Sequence, residues 1–337
     1  MNGETEMRKV DENALNVAKA HFDDYINQKN ILVEIETILN NQTNKNPSVN
    51  LLANITYLAG NLDSIINAKL IDIETHNQRL TSLYDLLVRV QAKSKARTKK
   101  RRRLSKDEKI AKSLSDDLQK QYKKFSDTKE YSYKIIEFLG LKSCPYCNIS
   151  YTYAVMDEQK KEYYVRPHFD HYYEKSLYPH LSLSFYNLVP ACPYCNSSLK
   201  GASNFKPIHP FFENFDGLAN FTITIKKLNT LYTDENSLEI ELDSQDPRAV
   251  SHITNFKLNE RYTHHKDIVQ EILIKKKWYT PERVEAMKNF LTAIGTQTTE
   301  DYINLIITGN YTNSENINKR PLAKLNKDIW DLAPIKD

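Results

Sequence analysis

CPYCN at 144–148 and CPYCN again at 192–196 hold all four cysteines of the 337-residue chain. A C-x-x-C pair on a tight turn aims both sulfurs the same way, and two such turns supply four thiolates in a tetrahedron. That is the closed arrangement of a structural Zn2+ site. The two pairs are separated by 44 residues, more than a short ribbon needs, so a small motif is inserted between the two turns. A disulfide framework would need an oxidising compartment, which nothing in the sequence calls for.

The insert runs YYVRPHFDHYYEKSLYPHLSLSFYNLVPACPYCNSSLKG at 163–201. Cutting a phosphodiester requires an activated water and neutralisation of the charge that grows on the leaving oxygen. An unperturbed histidine titrates at about 6.5, well matched to taking a proton from water near neutral pH, which makes His171 the candidate general base. Asp170 beside it offers a hard oxygen ligand for Mg2+ or Mn2+. Asn196, directly after the second cysteine turn, can add a neutral oxygen. Lys200 shares a helical face with Asn196 four residues later, where it meets a phosphate oxygen or faces solvent. His168, two residues before Asp170, and His209, in the segment His209-Pro210-Phe211-Phe212, are further candidates for reaching the site. A packing or hydrogen-bonding role is the simpler reading of both.

Asp170-His171, Asn187-Leu188-Val189-Pro190 and Cys195-Asn196 with Lys200 occur in one order inside a cysteine frame. Together they resemble an HNH nuclease of the ββα-metal type. The resemblance covers about 60 of the 337 residues. It implies that Asp170 and Asn196 bind the catalytic metal, that His171 is the base, and that Asn187 hydrogen-bonds backbone and orients the histidine. The wider combination, with Tyr178-Pro179 and the trailing His209-Pro210, is most similar to the nuclease subunit of Septu-type and retron-associated anti-phage systems. That implies a DNA substrate and a regulatory ATPase partner. CPYC is also the active-site tetrapeptide of glutaredoxins, so a thiol redox protein is one competing reading. A non-catalytic zinc ribbon that binds nucleic acid is the other.

Outside the insert, the charge distribution says more than the mild net charge of +4. KSKARTKKRRRLSK at 93–106 carries nine basic residues and no acidic one. Lys99, Lys100, Arg101, Arg102 and Arg103 are its centre, a candidate phosphate-contacting run or a solvated linker. Seven glycines, 40% hydrophobic and 27% charged residues favour a helix-rich globular chain. Apolar positions recur at three and four residues from Leu15 to Ile26, over 31–39 and 51–73, and from Leu80 to Val90, predicting helices. An Asn-rich loop separates them at 40–48. Alternation in Phe221, Ile223, Ile225 and in Leu238, Ile240, Leu242 predicts two half-buried strands. Thr280-Pro281-Glu282 opens a helix whose buried face is expected to be Val284, Met287, Phe290, Leu291 and Ile294.

The fold class expected is α+β, a mostly helical chain around a small ββα core with a zinc frame. Its parts are 1–92 (helical), 93–143 (basic helical connector), 144–215 (nuclease core) and 216–337 (strand hairpin plus helices). No apolar run approaches the roughly 20 residues of a membrane span. The first residues form no basic-then-apolar leader, so the expected location is the cytoplasm, with no membrane partner.

Overall fold

The computed structural model describes residues 10–96, 98, 103–203, 205–296 and 299–332. It is mostly helical with three two-stranded antiparallel sheets among the described residues, an α+β architecture. Six helices come first: α1 (Glu12–Gln28), α2 (Ile31–Thr43), α3 (Val49–Gly60), α4 (Leu62–Asn67), α5 (Leu70–Arg79) and α6 (Thr81–Ser94). The helix expected over 51–73 is three shorter ones. Asn61 and Asn67 divert the chain by donating their side-chain amides to the carbonyls of Tyr57 and Asp63, at 2.8 and 2.9 Å. Side-chain amides competing in this way for backbone acceptors are a common reason for helices to stop. The Asn-rich loop shortens correspondingly, because α2 continues to Thr43.

Beyond the basic run lie α7 (Lys106–Asp127) and α8 (Lys129–Leu139). A capping box starts α7, with Ser105 and Glu108 satisfying each other's backbone N–H groups. Lys93 at the end of α6 pairs with Glu108 at 2.6 Å and fastens the two helices there. The buried face of α7 includes Ile110, Ala111, Leu114, Leu118 and Phe125, spaced for one side of a helix. Phe125 meets Phe22 and Tyr25 of α1 and also Phe169, at 5.4, 5.2 and 5.8 Å between ring centroids. Each such buried aromatic contributes on the order of 2–3 kcal/mol through the surface it removes from water. The cluster ties the helical half to the strands that follow.

Those strands are β1 (Val155–Asp157) with β2 (Glu162–Val165), and β3 (His168–His171) with β4 (Leu188–Ala191). In the second pair His168 faces Ala191, Asp170 faces Val189 and His171 faces Leu188. A seven-residue helical segment of wide pitch, Tyr194–Lys200, comes directly after the second cysteine turn begins. Then β5 (Asn220–Ile225) pairs with β6 (Leu238–Asp243), setting Phe221 opposite Leu242, Ile223 opposite Ile240 and Ile225 opposite Leu238. The expected alternation is therefore met residue by residue.

The chain ends in α9 (Pro247–Asn255), α10 (Leu258–Tyr262), α11 (Lys266–Trp278), α12 (Pro281–Ala293), α13 (Glu300–Thr308) and α14 (Ala323–Asp331). Helix α12 forms where Thr280 and Pro281 announce it, but its expected buried face is a misreading. None of its residues is buried; Phe290 is 64% and Ile294 61% exposed. Period and apolar content identify a helix, and neither shows whether anything covers it. No helix among the described residues is long and apolar enough to cross a membrane.

Candidate metal centre and adjoining cleft

The four cysteine sulfurs all lie within 4.8 Å of one another, and all four residues are buried. Cys147 Sγ and Cys192 Sγ stand 3.9 Å apart, far from the roughly 2.05 Å of a disulfide. Four Zn–S bonds of about 2.3 Å in a tetrahedron set the sulfurs about 3.8 Å apart, so the group can hold a metal ion such as zinc. Its surroundings suit thiolates. The backbone N–H groups of Ile149 and Cys192 point at Cys147 Sγ and Cys144 Sγ, at 3.5 and 3.4 Å. The Arg261 guanidinium donates to Cys147 Sγ at 3.2 Å and to Cys195 Sγ at 3.4 Å. Burial works against the Arg261 charge, but the two sulfurs beside it push its pKa upward on balance.

The two identical pentapeptides are used differently. Tyr146 is 1% exposed, stacks on Phe256 at 5.0 Å and donates its hydroxyl to Asp170 Oδ2 at 2.9 Å. Tyr194, its counterpart, is 65% exposed. Asn148 takes a left-handed backbone, φ 50°, and reaches the far end of the chain. Its amide donates to Ile317 O at 2.9 Å and its side-chain oxygen accepts from Lys324 N at 3.0 Å. Asn196, the counterpart of Asn148, is only partly buried and lines a cleft.

That cleft has a volume of about 310 Å3 and collects Asp170, His171, Asn196 and His168 with Arg166, Lys175 and Tyr122. His171 is 8% exposed, with Nε2 3.0 Å from Ser182 O. A carbonyl only accepts, so Nε2 carries the proton and Nδ1 is left as the basic nitrogen. Burial, then the nearby Lys175 charge, pushes His171 down to about 3, which keeps the ring neutral at physiological pH but makes it a weaker base than the unperturbed histidine expected from the sequence. The Tyr122 ring from α7 stands edge-on to it at 4.3 Å. Asn187 is fully buried and clamps the loop after the histidine. It accepts from Tyr173 N at 2.7 Å and donates to Tyr173 O and Leu181 O, at 3.1 and 2.9 Å.

Asp170 is 1% exposed. Lys200 Nζ lies 3.0 Å from Asp170 Oδ1 and 2.6 Å from His171 O. Lys200 is thus turned inward onto Asp170, where the sequence leaves open an outward, phosphate-facing position. Burial pushes the Asp170 carboxyl above its ordinary range, and Lys200 and Tyr146 hold that rise back. Each carboxylate oxygen accepts one of these hydrogen bonds and keeps a second lone pair.

His168 is exposed at the cleft, 3.3 Å from Ser197 Oγ through Nδ1. His209 does not join it. It is fully buried, Nε2 sits 2.9 Å from Tyr186 O, and Nδ1 receives the Phe211 N–H at 3.3 Å. In the basic run, Lys99, Lys100, Arg101 and Arg102 lie outside the described residues, while Arg103 is exposed beside Lys106 and Lys109 at the start of α7. Sequence reasoning missed Tyr122, Tyr146, Arg166, Lys175 and Arg261. Only Tyr146 carried a signal, through its place in a repeated pentapeptide.

No protein family, curated protein or solved structure matches the chain.

Proposed function

We propose that this chain is a metal-dependent HNH-type nuclease that hydrolyses phosphodiester bonds of nucleic acid. Its cysteine group holds a structural zinc, DNA is its substrate, and it serves bacterial anti-phage defence with a regulatory ATPase. One observation carries the reading: Asp170 and His171 of β3 and Asn196 of the segment after the second cysteine turn line a single cleft next to the cysteine group. The defence role and the ATPase rest on sequence resemblance alone.

His171 Nδ1 takes a proton from a water, whose oxygen then attacks phosphorus in line with the leaving oxygen. The Ser182 carbonyl on Nε2 fixes the tautomer and stabilises the imidazolium that forms. Asn187 keeps the loop in register beneath it. Asp170 and Asn196 are a hard-oxygen pair, short of a full ligand shell, which fits Mg2+ or Mn2+ with water and phosphate oxygens completing it. Such an ion, when bound, supplies neutralisation of the charge on the phosphate. The four mutually facing, buried sulfurs leave no thiol open to attack, which weighs against redox chemistry.

A second reading, a non-catalytic zinc ribbon that binds nucleic acid, is favoured by the internal pairing of both Asp170 oxygens with Lys200 and Tyr146. Plasmid, linear DNA and RNA incubated with Mg2+, Mn2+ or chelator separate the two. The nuclease reading expects metal-dependent cleavage that His171→Ala abolishes while the fold and DNA binding persist. Cleavage at the unmutated rate by His171→Ala refutes the assignment of the base, and no cleavage of any substrate leaves the binding module.

A further inference from the structure

The cleft beside His171 contains two cations, Lys175 and Arg166, that form no ion pair among the described residues. Lys175 is half-buried, and its ammonium lies 4.8 Å from the centroid of the Tyr122 ring. Among the described residues no carboxylate lies within ion-pair distance of it. The adjacent Glu174 is committed elsewhere: Oε2 accepts from Ser176 N at 2.9 Å and Leu177 N at 3.1 Å, closing the turn. Arg166 donates only to neutral acceptors, Ser126 Oγ at 2.5 Å, Ser126 O at 3.3 Å and Pro167 O at 2.9 Å. Its guanidinium also lies 5.2 Å from the Phe169 ring. These contacts aim the group without neutralising it.

Asp170 is paired with Lys200, and Glu174, turned onto its own loop, offsets the Lys175 charge only in part and from beyond ion-pair distance. A cation withdrawn from water without a partner is unfavourable, and a π face repays only about 0.5–2 kcal/mol of that. Burial accordingly disfavours the charged form of Lys175. The missing partner is an anion that enters the cleft from outside.

We infer that Lys175 and Arg166 form a seat for phosphate oxygens in this cleft, with Lys175 contacting the phosphate whose ester bond is presented to His171. The inference deepens the nuclease reading and rests on it for the identity of that phosphate. Lys175 neutralises a non-bridging oxygen as charge accumulates there during attack, and Arg166 grips the neighbouring phosphate. Tyr122, which touches both the Lys175 ammonium and the His171 ring, sets the spacing between cation and base.

The test uses the zinc-loaded full chain and a fluorescein-labelled DNA duplex, titrated by anisotropy in EGTA-free, Mg2+-free buffer across a range of NaCl concentrations. Lys175→Gln should lower the slope of log K against log salt by about 0.9, the loss of one phosphate contact. With Mg2+ present, its kcat/KM should fall roughly tenfold or more, while Lys175→Arg restores the slope and most of the rate. Unchanged circular dichroism excludes a folding defect. A Lys175→Gln protein with the unmutated slope overturns the seat, whatever becomes of cleavage. If the slope falls but the unmutated chain cuts nothing, the seat stands and the nuclease reading fails.

Discussion

Replacing Lys200 with methionine keeps most of the length of the side chain and removes its charge from a site with almost no solvent. The Lys200 and Asp170 side chains are 1% and 2% exposed and 3.0 Å apart, so solvent screening does not dilute the pair. Breaking a buried pair by removing one partner typically destabilises by about 3–5 kcal/mol, because the remaining charge stays buried. The His171 carbonyl, 2.6 Å from the same ammonium, loses a donor as well. Tyr146 alone would then face the carboxylate. The expected loss is about 4 kcal/mol, read by urea unfolding in the absence of Mg2+. Asp170→Asn combined with Lys200→Met removes both charges, and the double-mutant cycle should return a coupling of about 2–3 kcal/mol. A coupling below about 0.5 kcal/mol would show that the two charges do not meet in the folded protein.

Acid should unfold this chain early. His180 is pushed down to about 3, and His209 and His252 each to about 4, by burial. All three stay neutral in the folded protein while the unfolded chain protonates below about 6.5, so stability falls as pH drops from there toward the folded values. Between pH 7 and 5.5 the loss is about 1.3 kcal/mol per histidine, or about 4 kcal/mol together, and denaturation midpoints that stay flat over that interval would contradict it. On α12, Phe290→Lys should change stability by no more than about 0.5 kcal/mol, because the ring covers nothing in this chain. A loss above about 2 kcal/mol in thermal unfolding would mean that the helix packs after all.

What the sequence disclosed depended on whether the signal was local. Two cysteine turns with matching neighbours place four sulfurs together almost by themselves, and period-two alternation sets Phe221 against Leu242. The gathering of Asp170, His171 and Asn196 into one cleft follows from the same short insert. Lys200 was visible as a residue on the right face, but its inward turn onto Asp170 and the His171 carbonyl depends on where β3 lies in space, which no spacing discloses. Tyr122 and Arg261 were illegible for the same reason. One comes from a helix that reads as a polar connector and the other from beyond the β5–β6 pair, and no spacing links either to the residue it touches.

Asn148 joins parts of the chain that are made at very different times. Its amide partner Ile317 lies 169 residues downstream and its backbone donor Lys324 lies 176 downstream. On a ribosome, the outer hydrogen bonds of the first cysteine turn therefore close only after residues 317–324 have been made. The helices of the N-terminal half rely on nearer neighbours and can assemble earlier. Closure of these two bonds thus comes after all four cysteines have been made. The first cysteine turn is therefore tightened from outside by a segment made long after the sulfurs themselves.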